Sequence, residues 1–235
     1  MYKYDMHVHT REVSPCGKVP VREAVDLYQN AGYDGFVITD HFRIDFFNKL
    51  GDLNWGQKIE RYLSGYQKAA EYVVDKEFQV FWGLEISFPK LDLDFLLYGL
   101  SADFLKIHKN LPNRTLGSFR NLIDRCYDNN VLFFQAHPFR DFLAPVKHLD
   151  GLEVFNGNPR HSNHNGKALR CARQHRLKMI SGSDFHQRED LARGGIALER
   201  KINSIQDLVG SLKGQKNYDL IGKGEDIHYK NKKIN

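Results

Sequence analysis

The chain has 235 residues, of which 41% are hydrophobic, and it carries a formal net charge of +5. This length and apolar content are enough for one domain with a single sizeable core. No apolar run approaches the ~20 residues that span a bilayer, and the N-terminus lacks an apolar signal segment, so we expect no membrane association. Three scattered cysteines argue against a disulfide framework and fit a reducing, cytoplasmic compartment.

The predicted elements alternate between strands and helices. In chain order, we predict a strand over residues 4–8, a helix over 21–31, a strand over 35–39, a helix over 59–74, strands over 79–86 and 95–100, a helix over 116–127, strands over 131–135 and 152–155, a helix over 166–175 and a strand over 178–181. This alternation is typical of an α/β fold with a parallel sheet and outer helices, and seven strands indicate a barrel-like sheet. We predict one catalytic domain over residues 1–221 and a polar, lysine-rich tail over 222–235.

Residue types that bind metals recur where the predicted strands end. They are His7, His9, His41, Glu85, His137, Asp184 and His186. In barrels and open α/β sheets, that rim is where ligands and catalytic residues collect. The two-residue period of a strand places both imidazoles of His7 and His9 on one side, so that two nitrogens can face one ion. A lone histidine is more often a surface or core residue, and we apply that interpretation to His148, His161, His164, His175 and His228.

The number of candidate ligands is informative. Four ligands fill one zinc ion, so seven candidates predict two or three divalent ions. Multinuclear centres recur in phosphoryl transfer because neighbouring cations share a hydroxide nucleophile and neutralise phosphate oxygens. A mixed set of imidazoles and carboxylates fits zinc, manganese or iron better than calcium or magnesium.

The motifs around these residues resemble those of the polymerase and histidinol phosphatase (PHP) family. They are Asp5-Met6-His7-Val8-His9-Thr10, Thr39-Asp40-His41, Ala136-His137-Pro138 and Gly182-Ser183-Asp184-Phe185-His186. Together with Glu85 they span nearly the whole chain. The resemblance implies a distorted seven-stranded (β/α) barrel, similar to a TIM barrel, with a trinuclear metal centre.

The family pattern also implies how the ligands are shared. One metal takes His7, His9, Glu85 and Asp184, and Glu85 bridges to a second metal held by His137. The third takes His41 and His186. The family usually adds a histidine roughly thirty residues before the Ala136-His137-Pro138 motif, and His108 stands at about that place. After the first H-x-H motif the family offers a histidine or aspartate, whereas Cys16 is the nearest equivalent here, either as a thiolate ligand or as a small turn residue.

The chemistry we expect is hydrolysis of a phosphate ester by a metal-bridging hydroxide, with His7, His9, Glu85, Asp184 and His186 as the catalytic core. Arginines near the motifs are candidates for holding phosphate, because guanidinium matches phosphate oxygens two at a time. Arg140 is the first choice, followed by Arg193 and Arg160. Asp40 and Asn156 are candidates for orienting ligands or substrate, Asp40 as a partner for a histidine N–H and Asn156 as an amide donor near the rim. The alternative for both is a role as a helix or turn cap.

The substrate class stays open at this point. A small phosphomonoester such as histidinol phosphate or a nucleotide is favoured, because the modest positive charge suits an anionic substrate without demanding nucleic acid. The alternatives are a nuclease acting on oligonucleotide ends, a protein tyrosine phosphatase, an amidohydrolase, and a non-catalytic binding module stabilised by metal. An amidohydrolase usually needs a bridging lysine at a strand end, and we find none there. The sequence leaves the oligomeric state open.

Overall fold

The computed structural model describes residues 1–88, 91–127, 130–214 and 218–222. Within these residues the strands are β1 (Tyr2–Val8), β2 (Gly35–Ile38), β3 (His41–Phe42), β4 (Gln79–Ser87), β5 (Asp94–Tyr98), β6 (Leu132–Gln135), β7 (Gly151–Asn156), β8 (Lys178–Gly182), β9 (Gly194–Leu198) and β10 (Tyr218–Gly222). The α-helices are α1 (Val21–Asn30), α2 (Ile44–Lys49), α3 (Trp55–Tyr62), α4 (Ser64–Tyr72), α5 (Ala102–Ile107), α6 (Leu116–Tyr127), α7 (Asn165–Gln174) and α8 (Ile205–Gly214). None of the helices in these residues is long and apolar enough to cross a bilayer.

The strands form one mixed sheet that curls into a near-closed barrel. Their order is β10-β9-β1-β2-β4-β5-β6-β7-β8, and β3 pairs with β4 outside this path. At the seam, the segment after β8 meets β1 through a parallel bridge between Val8 and Phe185. The Phe185 N–H donates to the His7 carbonyl at 3.0 Å. The predicted distorted barrel is confirmed, with β1, β2 and β4 to β8 as its seven strands.

The predicted parallel sheet differs from the structure at β5. This strand runs antiparallel to β4 and β6, with Leu96 paired to Glu85 on one side and to Phe134 on the other. Only residues 88–93 join β4 to β5, and a parallel crossover needs about a dozen residues or more. As a result, β5 begins at the rim where its neighbours end.

The strands β9 and β10 were not predicted. β9 pairs antiparallel with both β1 and β10 and therefore extends the sheet beyond β1. It begins with Gly194 and Gly195, and glycine is depleted in strands, so its sequence lacks an ordinary strand pattern. β10 ends at Gly222, the first residue of the predicted tail, and residues 223–235 lie outside the described residues.

The helix predicted over residues 59–74 is two helices, α3 and α4. α3 begins earlier than predicted because Asn54 and Gln57 form a reciprocal capping box, with both hydrogen bonds at 3.0 Å. Leu63 separates the two helices. The short helices α2 and α5 and the helix α8 were also not predicted, whereas α6 matches its predicted bounds.

Aromatic side chains make up much of the core. Phe95 and Phe133 are buried and stack with ring centroids 4.9 Å apart. Tyr98 is fully buried, and its hydroxyl reaches across the barrel to donate to the Met6 carbonyl at 2.9 Å. Burying one such phenylalanine stabilises the fold by about 1.5–3 kcal/mol, so this core provides a rigid base for the residues at the rim.

Candidate metal centre

Side chains of the types that bind metals meet at one rim of the barrel, from several strands. Their ligand atoms form three groups, and within each group the atoms lie within 4.8 Å of one another. The first group is His7, His9 and Glu85, the second is Glu85, Asp94 and His137, and the third is His9, His41 and His186. Because Glu85 and His9 each belong to two groups, the three groups form one continuous cluster.

Glu85 lies at the centre of the cluster and is only 1% exposed. Its Oε1 atom is 3.3 Å from Nε2 of His7 and 3.3 Å from Nε2 of His137. Its Oε2 atom is 3.5 Å from Nε2 of His9 and 2.6 Å from Nδ1 of His41. One carboxylate therefore faces four imidazoles, which is the arrangement that the resemblance implied for a bridging ligand.

Asp184 completes the first group from the segment after β8. Its Oδ1 atom is 3.6 Å from Nε2 of both His7 and His9. Its other oxygen accepts from Nη2 of Arg140 at 2.8 Å. The backbone of Asp184 is left-handed, with φ of 52°, and His137 has φ of 29°. Such backbone strain concentrates at functional sites.

Three of the imidazoles are oriented by hydrogen bonds at Nδ1. His7 Nδ1 pairs with Glu153 Oε1 at 2.9 Å, and His9 Nδ1 pairs with the Ser14 hydroxyl oxygen at 3.2 Å. His186 Nδ1 pairs with the Asp184 carbonyl at 2.9 Å. A proton on Nδ1 leaves the Nε2 lone pair for an ion, so these contacts select the tautomer that binds metal through Nε2.

Glu153 lies in the middle of β7, is fully buried, and was not predicted. Its second oxygen accepts from the His137 N–H at 2.8 Å and from the Asn156 side chain at 2.9 Å. A β-carbon at Gly182 would lie 2.8 Å from Glu153 Oε1 and 2.5 Å from the His7 β-carbon, so only glycine fits there. The signal in the sequence is a glutamate inside the apolar strand Gly151–Asn156.

Asp94 was also not predicted as a site residue. It begins the antiparallel β5, and its Oδ2 atom is 3.8 Å from Nε2 of His137. The Arg43 guanidinium donates to both Asp94 oxygens at 2.9 and 3.0 Å. The short link between β4 and β5 could have identified it, because that link requires a hairpin whose second strand starts at the rim.

The charges of the cluster fit a cation. Nδ1 of His41 and Oε2 of Glu85 are both buried and neither makes a hydrogen bond of normal geometry, although they lie 2.6 Å apart. Burial opposes a charge on His41, but Glu85 overcomes it and raises the pKa of His41 to about 10. Burial also opposes ionisation of Glu85, and His41 and His7 outweigh it and hold the pKa of Glu85 well below its usual range. The Glu85 carboxylate is therefore favoured in its charged form, which suits a bound cation.

Asp40 supports the cluster indirectly, through Ser14. It accepts from the Thr10 N–H, the Thr10 hydroxyl and the Ser14 hydroxyl, each at 2.7 Å. The prediction that Asp40 would receive a histidine N–H directly is wrong, because Ser14 stands between Asp40 and His9. Burial raises the pKa of Asp40 to about 6.

A cavity of about 390 Å³ opens above the cluster. Its wall includes the cationic side chains Lys18, Arg43, Arg140 and Arg160, together with Cys16, His41, His137, Asp184 and His186. A pocket of this size holds a small ligand. Its positive wall beside candidate metal ligands favours an anionic one.

The predicted substrate residues divide between this cavity and other roles. Arg140 lines the cavity, but its guanidinium also donates to Asn156, Asn163 and Asp184. Arg160 lines the cavity and pairs with Asp190. Arg193 instead lines a neighbouring cavity of about 560 Å³, where its Nε atom donates to the Gly157 carbonyl.

Two further predictions are not matched by the geometry. Asn156 is 2% exposed and its amide is engaged by Glu153 and Arg140, so it orients protein groups instead of facing a substrate. His108 is absent from all three ligand groups, its ring packing on Phe104 at 4.4 Å. It ends α5, which follows the antiparallel β5, so the strand before it leads away from the metal rim.

One family model, described as PHP-associated, matches residues 162–216. No curated protein matches the chain in sequence. Among solved structures, a two-domain protein from Bacteroides vulgatus containing a predicted PHP-like metal-dependent phosphoesterase aligns with a TM-score of 0.66 and 16% identity. That alignment covers 94% of this chain and 64% of the other, so this chain spans less than two thirds of its length.

Two further structures cover the chain and nearly all of their own length. PsfC from Pseudomonas syringae aligns with a TM-score of 0.63 and 14% identity, over 95% of this chain and 93% of that one. An amidohydrolase from Chromobacterium violaceum, solved with bound sulfate and no metal, aligns with a TM-score of 0.54 and 16% identity, over 89% and 96%. The PHP-type fold that the motifs implied is thereby confirmed.

Proposed function

We propose that this chain, which has the fold of PHP-type metal-dependent phosphoesterases and carries a PHP-associated segment, hydrolyses phosphate esters at the cluster around Glu85. One observation carries the proposal: three groups of ligand atoms share Glu85 and His9 beneath a cavity with a cationic wall. A single ion would not need so many ligands, whereas adjacent ions suit phosphoryl transfer.

The ligand assignment follows the three groups. We assign His7, His9, Glu85 and Asp184 to one ion, Glu85, Asp94 and His137 to a second, and His41 and His186 to a third, with His9 close to the first and third. When bound, zinc, manganese or iron would supply Lewis acidity and activate water near neutral pH. We propose about two to three ions, in keeping with the number of groups.

Neighbouring side chains orient the proposed metal ligands. Glu153 and Ser14 hold His7 and His9 with Nε2 toward the cluster. Arg140 fixes Asp184. Lys18 lies at the cavity wall, where it can meet the phosphate oxygens of a substrate. Arg43 and Arg160, which pair with Asp94 and Asp190, add fixed positive charge to the same wall, and fixed cations stabilise the charge of a transferring phosphoryl group.

The cavity also bears on the substrate class. Its volume of about 390 Å³ fits a small phosphomonoester, such as histidinol phosphate or a nucleotide. Strong binding of a polynucleotide needs many phosphate contacts, each contributing a salt slope of about −0.9. The net charge of +5 over the whole chain provides little for that purpose. We therefore favour a small-molecule substrate over an oligonucleotide end or a phosphotyrosine protein.

An amidohydrolase is the second candidate, because one of the structural neighbours has that activity in its name. The position between the first two ligand groups is occupied here by Glu85, whereas amidohydrolases that begin with an H-x-H motif usually need a bridging lysine at a strand end. Among the described residues, Lys18 is the lysine at the cavity wall, and it belongs to none of the ligand groups. The phosphoesterase is therefore the better supported proposal.

A substrate panel tests the proposal. It contains histidinol phosphate, nucleoside monophosphates, sugar phosphates, short 5′-phosphorylated oligonucleotides, a phosphotyrosine peptide and an amide substrate, each with manganese and with zinc. We expect the best turnover with a small phosphomonoester, and loss of it in Glu85→Gln. The matched control is Glu60→Gln, because Glu60 is exposed and makes only a 3.8 Å contact to Lys106.

Other outcomes would replace this function with a named alternative. Oligonucleotide turnover above every monoester would identify a nuclease, and hydrolysis of the peptide or the amide alone would identify a phosphatase of proteins or an amidohydrolase. Metal binding with no turnover of any substrate would identify a metal-stabilised binding module.

A further inference from the structure

A third cavity, of about 500 Å³, lies apart from the metal-ligand cluster. It is formed by the start of α6, by the link between β4 and β5, and by the segment that precedes β7. Among the described residues, those that line it belong to none of the three ligand groups and to neither of the other two cavities. A ligand of this cavity would therefore be distinct from a substrate of the metal centre.

Much of the wall of this cavity is apolar and fixed in place. Phe88 is 2% exposed, and its ring packs against Phe95 and Phe119 with centroids 5.6 and 5.4 Å apart. Leu116 is also buried. The apolar residues that line the cavity are Phe88, Leu91, Leu116 and Pro145. A preformed cavity of this size with such a wall suits the apolar body of a small molecule.

Arg114 contributes a cation to the same wall. Its Nε atom is buried and has no hydrogen-bond partner, and within the described part of the chain its guanidinium pairs with no carboxylate. The Arg114 N–H donates to the Leu111 carbonyl at 3.2 Å, which fixes the residue between the 3₁₀ turn Leu111–Asn113 and α6. A buried donor without an acceptor destabilises a fold, so such a group usually has a specific role.

The start of α6 adds positive potential to the cavity. Leu116 and Gly117 lie in its first turn, where backbone N–H groups have no acceptors within the helix and carry a partial positive charge. His148 lies beside them, since a β-carbon at Gly117 would be 3.6 Å from its ring. The described residues that line the cavity include no aspartate or glutamate. The electrostatics of the cavity therefore favour an anion.

We propose that this cavity binds a small carboxylic acid with an apolar body. The carboxylate accepts from the Arg114 guanidinium, whose planar group of donors matches two carboxylate oxygens, and the apolar body lies against Phe88 and Leu116. A sugar phosphate or inorganic phosphate has no apolar part to cover this wall, so burial of apolar surface favours the carboxylic acid. The site requires neither the proposed metal centre nor the proposed hydrolysis.

Calorimetric titration of the full chain tests the proposal, with 4-phenylbutyrate as the probe. It should bind saturably, one molecule per chain. Acetate and the uncharged 4-phenylbutyramide should bind at least about tenfold more weakly, because the first lacks the apolar body and the second lacks the charge. Arg114→Gln should weaken the probe by about tenfold or more. Arg125→Gln is the matched control, because Arg125 is exposed on the same helix.

Three further measurements locate the probe and separate binding from folding. The Arg114 Nε–H signal in a nuclear magnetic resonance spectrum, assigned by its loss in Arg114→Gln, should shift on adding the probe. Gly117→Leu, which places a side chain beside His148, should block binding. Arg114→Gln should melt at an unchanged Tm without the probe, since its Nε atom makes no hydrogen bond. Glu85→Gln should still bind 4-phenylbutyrate.

Several results would overturn the proposal. They are the absence of saturable binding, equal binding of the acid and the amide, and unchanged binding in Arg114→Gln. Loss of binding in Glu85→Gln would also overturn it, because the probe would then occupy the metal cluster. If no phosphate ester is hydrolysed but the probe binds as expected, the carboxylate site stands and the proposed activity alone fails.

Discussion

Nδ1 of His7 lies 2.9 Å from Oε1 of Glu153, and both side chains are fully buried. This contact fixes the imidazole tautomer, and partners of this kind typically contribute about 10–100-fold to metal affinity. In Glu153→Gln, the amide must place its NH₂ group toward either His7 or the donors from His137 and Asn156. We therefore expect Glu153→Gln to lose about 10–100-fold in zinc affinity, measured by competition with a chromophoric chelator. The exposed Glu71→Gln should bind as the unmodified protein does, and an equal affinity of both variants would refute the role of Glu153.

Glu85 and His186 should differ in how much metal their removal costs. Glu85 belongs to two ligand groups and faces four imidazoles, whereas His186 belongs to one group. We expect Glu85→Ala to lose more metal equivalents than His186→Ala by elemental analysis, with the fold intact by circular dichroism. Equal losses in the two folded variants would show that Glu85 does not bridge.

Arg140 should act through Asp184. The sequence favoured Arg140 as a phosphate contact, but its guanidinium donates to Asp184 at 2.8 Å and to two asparagines. Arg140→Ala should therefore weaken metal binding as well as lower kcat, and Arg140→Lys should not restore either, because an ammonium cannot reproduce the planar set of contacts. Arg170→Ala, on the exposed rim of the neighbouring cavity, is the control. If Arg140→Ala instead raises KM and keeps its full metal content, Arg140 contacts the substrate phosphate and does not act through Asp184.

Tyr28 should stabilise the fold through Asp5. Its hydroxyl donates to the buried Asp5 carboxylate at 2.7 Å, and Asp5 also accepts from the backbone of His7 and Ser183. Tyr28→Phe leaves one buried oxygen short of a donor and should lower the free energy of unfolding by about 1–3 kcal/mol in urea denaturation. Tyr72→Phe removes a comparable bond to the partly exposed Asp26 and should cost less. A larger loss for Tyr72→Phe would contradict this account of Asp5.

Removing metal should destabilise the whole protein. The ligands come from both ends of the chain, from His7 to His186, and an ion bound only by the folded state adds to its stability. A chelator should lower Tm in a thermal melt, and restored zinc should raise it again. An unchanged Tm, with metal removal verified by elemental analysis, would show that no ion is bound by the native fold.

Residues at the ends of parallel strands were predictable from the sequence, whereas a residue at the start of an antiparallel strand was not. His7, His9, Glu85 and His137 could be located because each stands where an apolar strand ends, and the carboxyl ends of parallel strands share one rim. Asp94 was not predicted because β5 is antiparallel, so that its first residue, and not its last, lies at the rim. The same reversal explains why His108, placed by spacing alone, lies away from the cluster.

Glu153 marks the limit of pattern reasoning. In the sequence, Glu153 is a single charged residue within an otherwise apolar strand, β7. Its role follows from its contact with His7, which comes from a distant part of the chain. The break between α3 and α4 was also not predictable from periodicity, because the apolar spacing of a helix continues through Leu63. The start of α3 is set by the capping box at Asn54. Local periodicity specified the elements, and contacts between remote residues determined their chemistry.

The most direct test of the central claim is a titration of metal-free protein with zinc and with manganese, following hydrolysis of a small phosphomonoester at each addition. We expect no turnover without metal, a rise in turnover with the added ions, and saturation at about two to three equivalents. Full turnover in the presence of excess chelator, or saturation at a single equivalent, would contradict a multinuclear centre built around Glu85.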